Sequence, residues 1–158
     1  MTLEEFKIID ASSLPVGKLI TMASRGQNIY INNKLQDLDI NGTQLHLLFE
    51  ISHQMNINQE KIASRCNINK GAVARSIKKL EDKGLVVRQI DENNRRQNIV
   101  SLTSKGKETL SESIKILDEW ESEVFGNYTK EEKIKVQKNL KDIVIKIIEI
   151  NQREIFND

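Results

Sequence analysis

NINKGAVARSIKKLEDKGLVVR, residues 67 to 88, is the stretch on which the fold turns. Asn69 can cap a helix, because an Asn side-chain oxygen accepts a backbone N–H of the first turn. Val73, Ile77 and Leu80 then recur at the three-and-four spacing of one helix face, and Gly84 is the residue type that ends a helix in a left-handed turn. Directly afterwards come two short β-rich runs, LVVRQI and NIVSL, separated by the polar DENNRRQ, which predicts a hairpin with a long charged tip. Upstream, Asn58 can cap a short helix carrying Ile62, Ala63 and Cys66. Short helix, tight turn through NIN, second helix and two-stranded ribbon, in that order, make a winged helix-turn-helix.

With Val73, Ile77 and Leu80 turned to a core, Lys70, Ala72, Ala74, Arg75, Lys78 and Lys79 are left for solvent or a ligand, and four of these six are cationic. A DNA major groove admits one α-helix, where small side chains permit close approach and Arg or Lys reaches guanine edges or phosphates. Arg95 and Arg96 sit at the hairpin tip, where a projecting wing meets an adjacent minor groove whose negative potential suits guanidinium groups. The net charge of +1 hides this arrangement: residues 61–107 hold twelve Lys or Arg against four acids, a local +8, and the remainder carries −7. The partner this implies is double-stranded DNA. The competing class, a winged-helix protein-interaction module that never touches DNA, would lack the alignment of Lys70, Arg75, Lys78 and Arg96.

Working outward, apolar residues from Pro15 to about Leu38 recur at helical spacing, with Pro15 tolerated in a first turn. Asn41 and Gln44 form a capping-box pattern that opens a helix running through about His53. Thr103 starts a helix striped by Leu110, Ile114, Leu117 and Val124, broken near residues 126 to 128 by GNY. Thr129 and Glu132 form a second capping box before a final helix bearing Ile134, Leu140, Ile143, Val144, Ile147, Ile148 and Ile150. That apolar surface is too wide for one side of a small monomer and implies a second copy of the chain. The expected architecture is mainly α with a small β-wing: an N-terminal dimerisation helix region over 1–38, a DNA-binding winged helix-turn-helix over 39–102, and C-terminal dimerisation helices over 103–158.

Composition excludes several classes. At 158 residues, 38% hydrophobic and 30% charged, the chain is a folding globular protein rather than a disordered one. No run reaches the roughly 18 apolar residues of a membrane span, and no basic-then-apolar leader opens the sequence, so a cytoplasmic location is expected. The single Cys66 forms no intramolecular disulfide, and a reactive thiol would need exposure and a lowered pKa. His46 and His53, seven apart on one helix face, fall short of the three or four ligands of a zinc site. No phosphate-cradling glycine loop or nucleophile constellation is present, so neither enzymatic activity nor a cofactor is expected.

INGTQLHLL, NINKGAVARSIKKLEDKGLVVR and DENNRRQNIVSLTSKG, spanning roughly residues 40 to 107, together resemble the multiple antibiotic resistance regulator (MarR) family of transcription factors. The resemblance implies a homodimer paired through its first, fifth and sixth helices, with two recognition helices entering successive major grooves of a pseudo-palindromic operator. Promoter occupancy would repress, and relatives bind aromatic or anionic compounds between the dimerisation helices and the winged domain. Lys18, Arg25 and Tyr30 along the first helix are the candidates for such an effector. Two departures stand out. Ala72 and Ala74 flank Val73 where the family often has Thr, and Asn94 replaces the aspartate that commonly braces the groove-inserting arginine, so Arg96 is expected to be less rigidly held.

Overall fold

The computed structural model describes residues 2–54, 57–66, 68–90 and 98–155. The first element, α1 (Leu3–Ile8), rests on a capping box: Thr2 Oγ1 accepts from Glu5 N at 3.2 Å, and Glu5 Oε2 accepts from Thr2 N at 2.7 Å. Its six residues are too few to show a periodicity, and the sequence reading passes over it. The next helix, α2 (Val16–Leu35), is shorter than expected at both ends. Pro15 stands outside it in an extended conformation, and the last turn tightens into a 3-10 turn over Gln36–Leu38. Asp39, at φ 53, then reverses the chain.

Four elements follow where they were expected. Helix α3 (Gly42–His53) has its capping box, with Asn41 Oδ1 accepting from Gln44 N at 2.9 Å. Helices α4 (Gln59–Cys66) and α5 (Lys70–Asp82) are each capped by an Asn: Asn58 Oδ1 accepts from Lys61 N at 2.8 Å, and Asn69 Oδ1 from Gly71 N at 2.8 Å. The hairpin is β2 (Val86–Ile90) against β3 (Asn98–Leu102), antiparallel, with Arg88 opposite Val100. The ribbon has a third strand that the sequence reading lacks. Ile57–Asn58, β1, pairs with the other edge of β3 and puts Ile57 opposite Val100, giving the order β1-β3-β2. A two-residue strand has no alternation to read, and only the tertiary pairing creates it.

The core of the unit spanning residues 1–120 is built from Leu35, Leu47, Leu48, Ile62, Val73, Ile77, Leu80, Val86 and Val100, all essentially sealed from solvent. Val73, Ile77 and Leu80 lock α5 into it, so the opposite face of α5 must point outward. Gly84, at φ +71, ends α5 as expected: Leu85 N donates to Leu80 O at 2.9 Å and Gly84 N to Glu81 O at 2.9 Å. Helix α6 (Ser104–Phe125) starts pressed against this turn. Thr103 Oγ1 donates to Gly84 O at 2.6 Å, Thr103 N donates to Leu85 O at 3.1 Å, and a Cβ on Gly106 would lie 2.0 Å from Leu85 O. Only glycine allows that approach.

The second unit, residues 121–158, holds the end of α6 and α7 (Lys130–Ile155), which opens on the expected Thr129–Glu132 capping box. Its apolar residues are not covered: Val144 is 52% exposed, Ile148 49% and Leu140 47%. Among the described residues, no helix is long and apolar enough to cross a membrane.

Candidate nucleic-acid interface

At 100° per residue, a helix whose core line is Val73, Ile77 and Leu80 carries its outermost line through Gly71, Arg75, Lys78 and Asp82. Lys79 lies beside this stripe, whereas Lys70, at the first position of the helix, lies closer to the core line than to the stripe. All four cations are exposed, whereas Ala72 and Ala74 are half-buried on the shoulders of the helix. Arg75 reaches back toward the start of α5: its Nη1 lies 3.5 Å from where a Gly71 Cβ would be. This is the direction helical side chains take, and it brings the guanidinium to the helix end that a helix-turn-helix presents to base edges.

Much of the positive segment is neutralised in the folded chain. Five of its cations are ion-paired among the described residues: Arg65 with Glu50 at 2.6 Å, Lys70 with Glu60 at 2.9 Å, Lys78 with Asp82 at 2.8 Å, Lys83 with Asp39 at 3.2 Å, and Arg88 with Glu81. Glu50, Glu60 and Asp39 come from outside residues 61–107, so the sequence window that shows +8 omits them. On α5 the result is a division of labour. Lys70 and Lys78 are held by carboxylates, while Arg75 and Lys79 have no ion pair among the described residues. Lys70 holds the Glu60 carboxyl below the usual range through a charge-assisted hydrogen bond, and Asp82 in the same way raises the Lys78 ammonium, so both pairs are intact near neutral pH.

The wing is tied to the same helix. Arg88 Nε donates to Glu81 Oε2 at 3.1 Å, with a second bond from its Nη2, joining β2 to the last turn of α5 across the Gly84 turn. Both side chains are half-buried, and the pair ties the start of the hairpin to α5. Sequence reasoning missed Arg88, since two residues seven apart across a chain reversal show no helical or strand spacing. Arg95, Arg96 and Asn94 lie outside the described residues.

Lys18 and Arg25 are exposed on α2, and Tyr30 is half-buried against the core with Lys34 Nζ 5.8 Å from its ring centre. A cavity of about 340 Å³ lies elsewhere, between the end of α3, β3 and the first half of α6. Ile51, Leu102, Leu110 and Ile114 form its apolar wall, with Ser111 and Lys107 as polar groups. Cys66 is half-buried, and its thiol pKa is pushed up by desolvation and by the Glu50 carboxylate, which keeps it protonated at neutral pH. His46 is exposed, and the His53 ring Nδ1 lies 2.7 Å from Phe49 O. Among the described residues, no three His, Cys, Asp or Glu side chains are grouped to hold a metal ion.

Comparison with known proteins agrees with this geometry. The MarR family model matches residues 40–97. The HTH-type transcriptional regulator SarZ of Staphylococcus aureus is 30% identical over 118 residues, 72% of this chain and 76% of that protein. The crystal structure of a MarR transcriptional regulator from Methanosarcina mazei superposes with a TM-score of 0.78 at 33% identity, over 85% of this chain and 97% of that one. A mutant MarR from E. coli, solved in complex with operator DNA, superposes with a TM-score of 0.74 at 25% identity over 85% of this chain and 99% of its own. A winged helix-turn-helix matched along nearly the whole length of such structures places the chain in the MarR family of DNA-binding transcription regulators.

Proposed function

We propose that a homodimer of this chain occupies a pseudo-palindromic operator and represses transcription until a small aromatic or anionic ligand releases it. In this reading residues 39–102 bind DNA, and residues 1–38 and 103–158 pair the subunits. Helix α5 enters the major groove with Arg75 toward base edges, Lys70, Lys78 and Lys79 toward phosphates, and Ala72 and Ala74 allowing close approach. Arg95 and Arg96 reach the flanking minor grooves. The observation that carries the reading is the α5 stripe, which the buried Val73, Ile77 and Leu80 aim outward. The operator complex of a structural neighbour supports the choice of DNA as partner.

Pairing is supported by the uncovered apolar face of α7, and on α2 Val16 and Ile29 are each 61% exposed. Large apolar side chains left exposed along one helix, as on α7, mark an association site. Release by a ligand is supported by the cavity beside β3, because a molecule seated between α3, β3 and α6 would press on the strand that carries the wing. Lys18, Arg25 and Tyr30 offer a second anchoring point on α2.

The test is a gel shift on the DNA upstream of the chain's own gene, followed by titration with salicylate and related aromatic anions. Retardation that is reversed by the anion is the expected outcome. Retardation unaffected by a broad panel of such anions would remove ligand release, and absence of any retarded species would remove repression at that promoter.

A further inference from the structure

We propose that Glu60 and Asp82 act as stand-ins for DNA phosphate on the recognition helix, holding Lys70 and Lys78 until DNA displaces them and thereby suppressing attachment to unrelated sequence. The inference rests on α5 being the DNA-facing helix. Both carboxylates approach their ammonium groups at the distance of a lysine–phosphate contact, 2.9 Å for Lys70–Glu60 and 2.8 Å for Lys78–Asp82. Asp82 also falls on the outermost line of α5 itself, in register with Arg75 and Lys78, so it shares the face that the proposed reading turns toward DNA.

Two observations argue against a structural purpose for these pairs. The side chains are well exposed, 75% and 61% for Lys70 and Glu60 and 58% each for Lys78 and Asp82, and exposed pairs hold elements together weakly. Of the pairs that join elements, Arg88–Glu81 and Arg65–Glu50 bury their carboxylates more deeply than Lys70–Glu60 does. In addition, Asp82 is the last residue of α5, where a negative charge opposes the helix dipole. Its place is explained by what it does to Lys78.

The consequence for binding follows from the source of non-specific affinity, which is phosphate neutralisation with release of counterions. A lysine that exchanges a carboxylate for a phosphate gains only the difference between them. The displaced carboxylate then stays within a Debye length, about 8 to 10 Å, of the DNA backbone and repels it. Arg75, with no such partner, keeps its full contribution at the bases. Any sequence is thus penalised through the lysines, and only the matching sequence recovers the loss through base contacts.

The experiment compares Glu60→Gln, Asp82→Asn and the double variant with the unmodified full-length chain. Fluorescence anisotropy on a random-sequence DNA duplex, at about 50 mM and about 200 mM salt, reads non-specific affinity. Each single variant is expected to tighten binding about 3- to 10-fold at the lower salt and less at the higher, with the double variant tighter still. A gain of binding is opposite in sign to what a weakened fold would produce. Unchanged or weakened binding in both single variants, with Lys79→Ala still weakening it, overturns the proposal alone. If Lys79→Ala also leaves binding unchanged, the docking face itself is wrong, and the inference falls with the reading beneath it.

Discussion

Gly106→Ala is expected to destabilise the chain by about 3 kcal/mol and to lower Tm by roughly 6 to 12 °C. Helix propensity alone points the other way, since Ala is favoured over Gly inside a helix by about 1 kcal/mol. The opposite sign comes from the new Cβ, which would stand 2.0 Å from Leu85 O, a backbone atom that cannot swing aside as a flexible side chain would. To accept it, the start of α6 must withdraw from the turn after α5. That movement breaks the Thr103 N–H bond to Leu85 O and the Thr103 hydroxyl bond to Gly84 O, the contacts that fix where the hairpin leaves the recognition helix. Thermal unfolding followed by circular dichroism reads the change, and an unaltered or raised Tm would show that the close approach is not structural.

Replacing Leu140 and Ile147 together by Glu is expected to turn the dimer into a monomer and to weaken operator binding by about 100-fold or more. Both side chains lie on the uncovered face of α7, 47% and 45% exposed, so the substitutions remove no core packing within the chain. In a dimer they would be buried, and four carboxylates would then be desolvated without partners. The loss of DNA affinity follows from geometry. Two linked recognition helices bind two half-sites with an effective concentration that separate monomers lack. Sedimentation of the wild type and the double variant at micromolar concentration checks this. A monomeric wild type, or a double variant that stays dimeric, would break the symmetric-operator account.

The parts of the fold announced by local chemistry were legible in the sequence. Asn41, Asn69, Thr103 and Thr129 each cap the helix that they precede in sequence, and Gly84 takes the left-handed turn. The apolar spacing of Val73, Ile77 and Leu80 placed the outward face of α5 without any tertiary information. What escaped depends on chain segments meeting in space. β1 exists because two residues find the edge of β3, and Arg88 gains its role because the chain reverses at Gly84 and returns it to Glu81. The local charge of +8 was read correctly as composition but not as electrostatics. Glu60, ten positions before Lys70, meets it only across the turn between α4 and α5, and Asp39 meets Lys83 from an element still farther away. The cationic face is therefore sparser than the sequence suggests, which concentrates the account on Arg75 and Lys79.

Those two residues supply the most direct test of the central claim that α5 reads DNA. Affinities of Arg75→Ala and Lys79→Ala should be measured on the bound upstream DNA and on a panel of single-base variants of it. If the account holds, Arg75→Ala loses about 1 to 3 kcal/mol on the preferred sequence and discriminates less at one position in each half-site. Lys79→Ala then weakens all the sequences evenly and lowers the salt dependence by about one unit of slope. Unchanged affinity and unchanged sequence preference in both variants would contradict it, and the DNA-binding face would have to be sought elsewhere on the molecule.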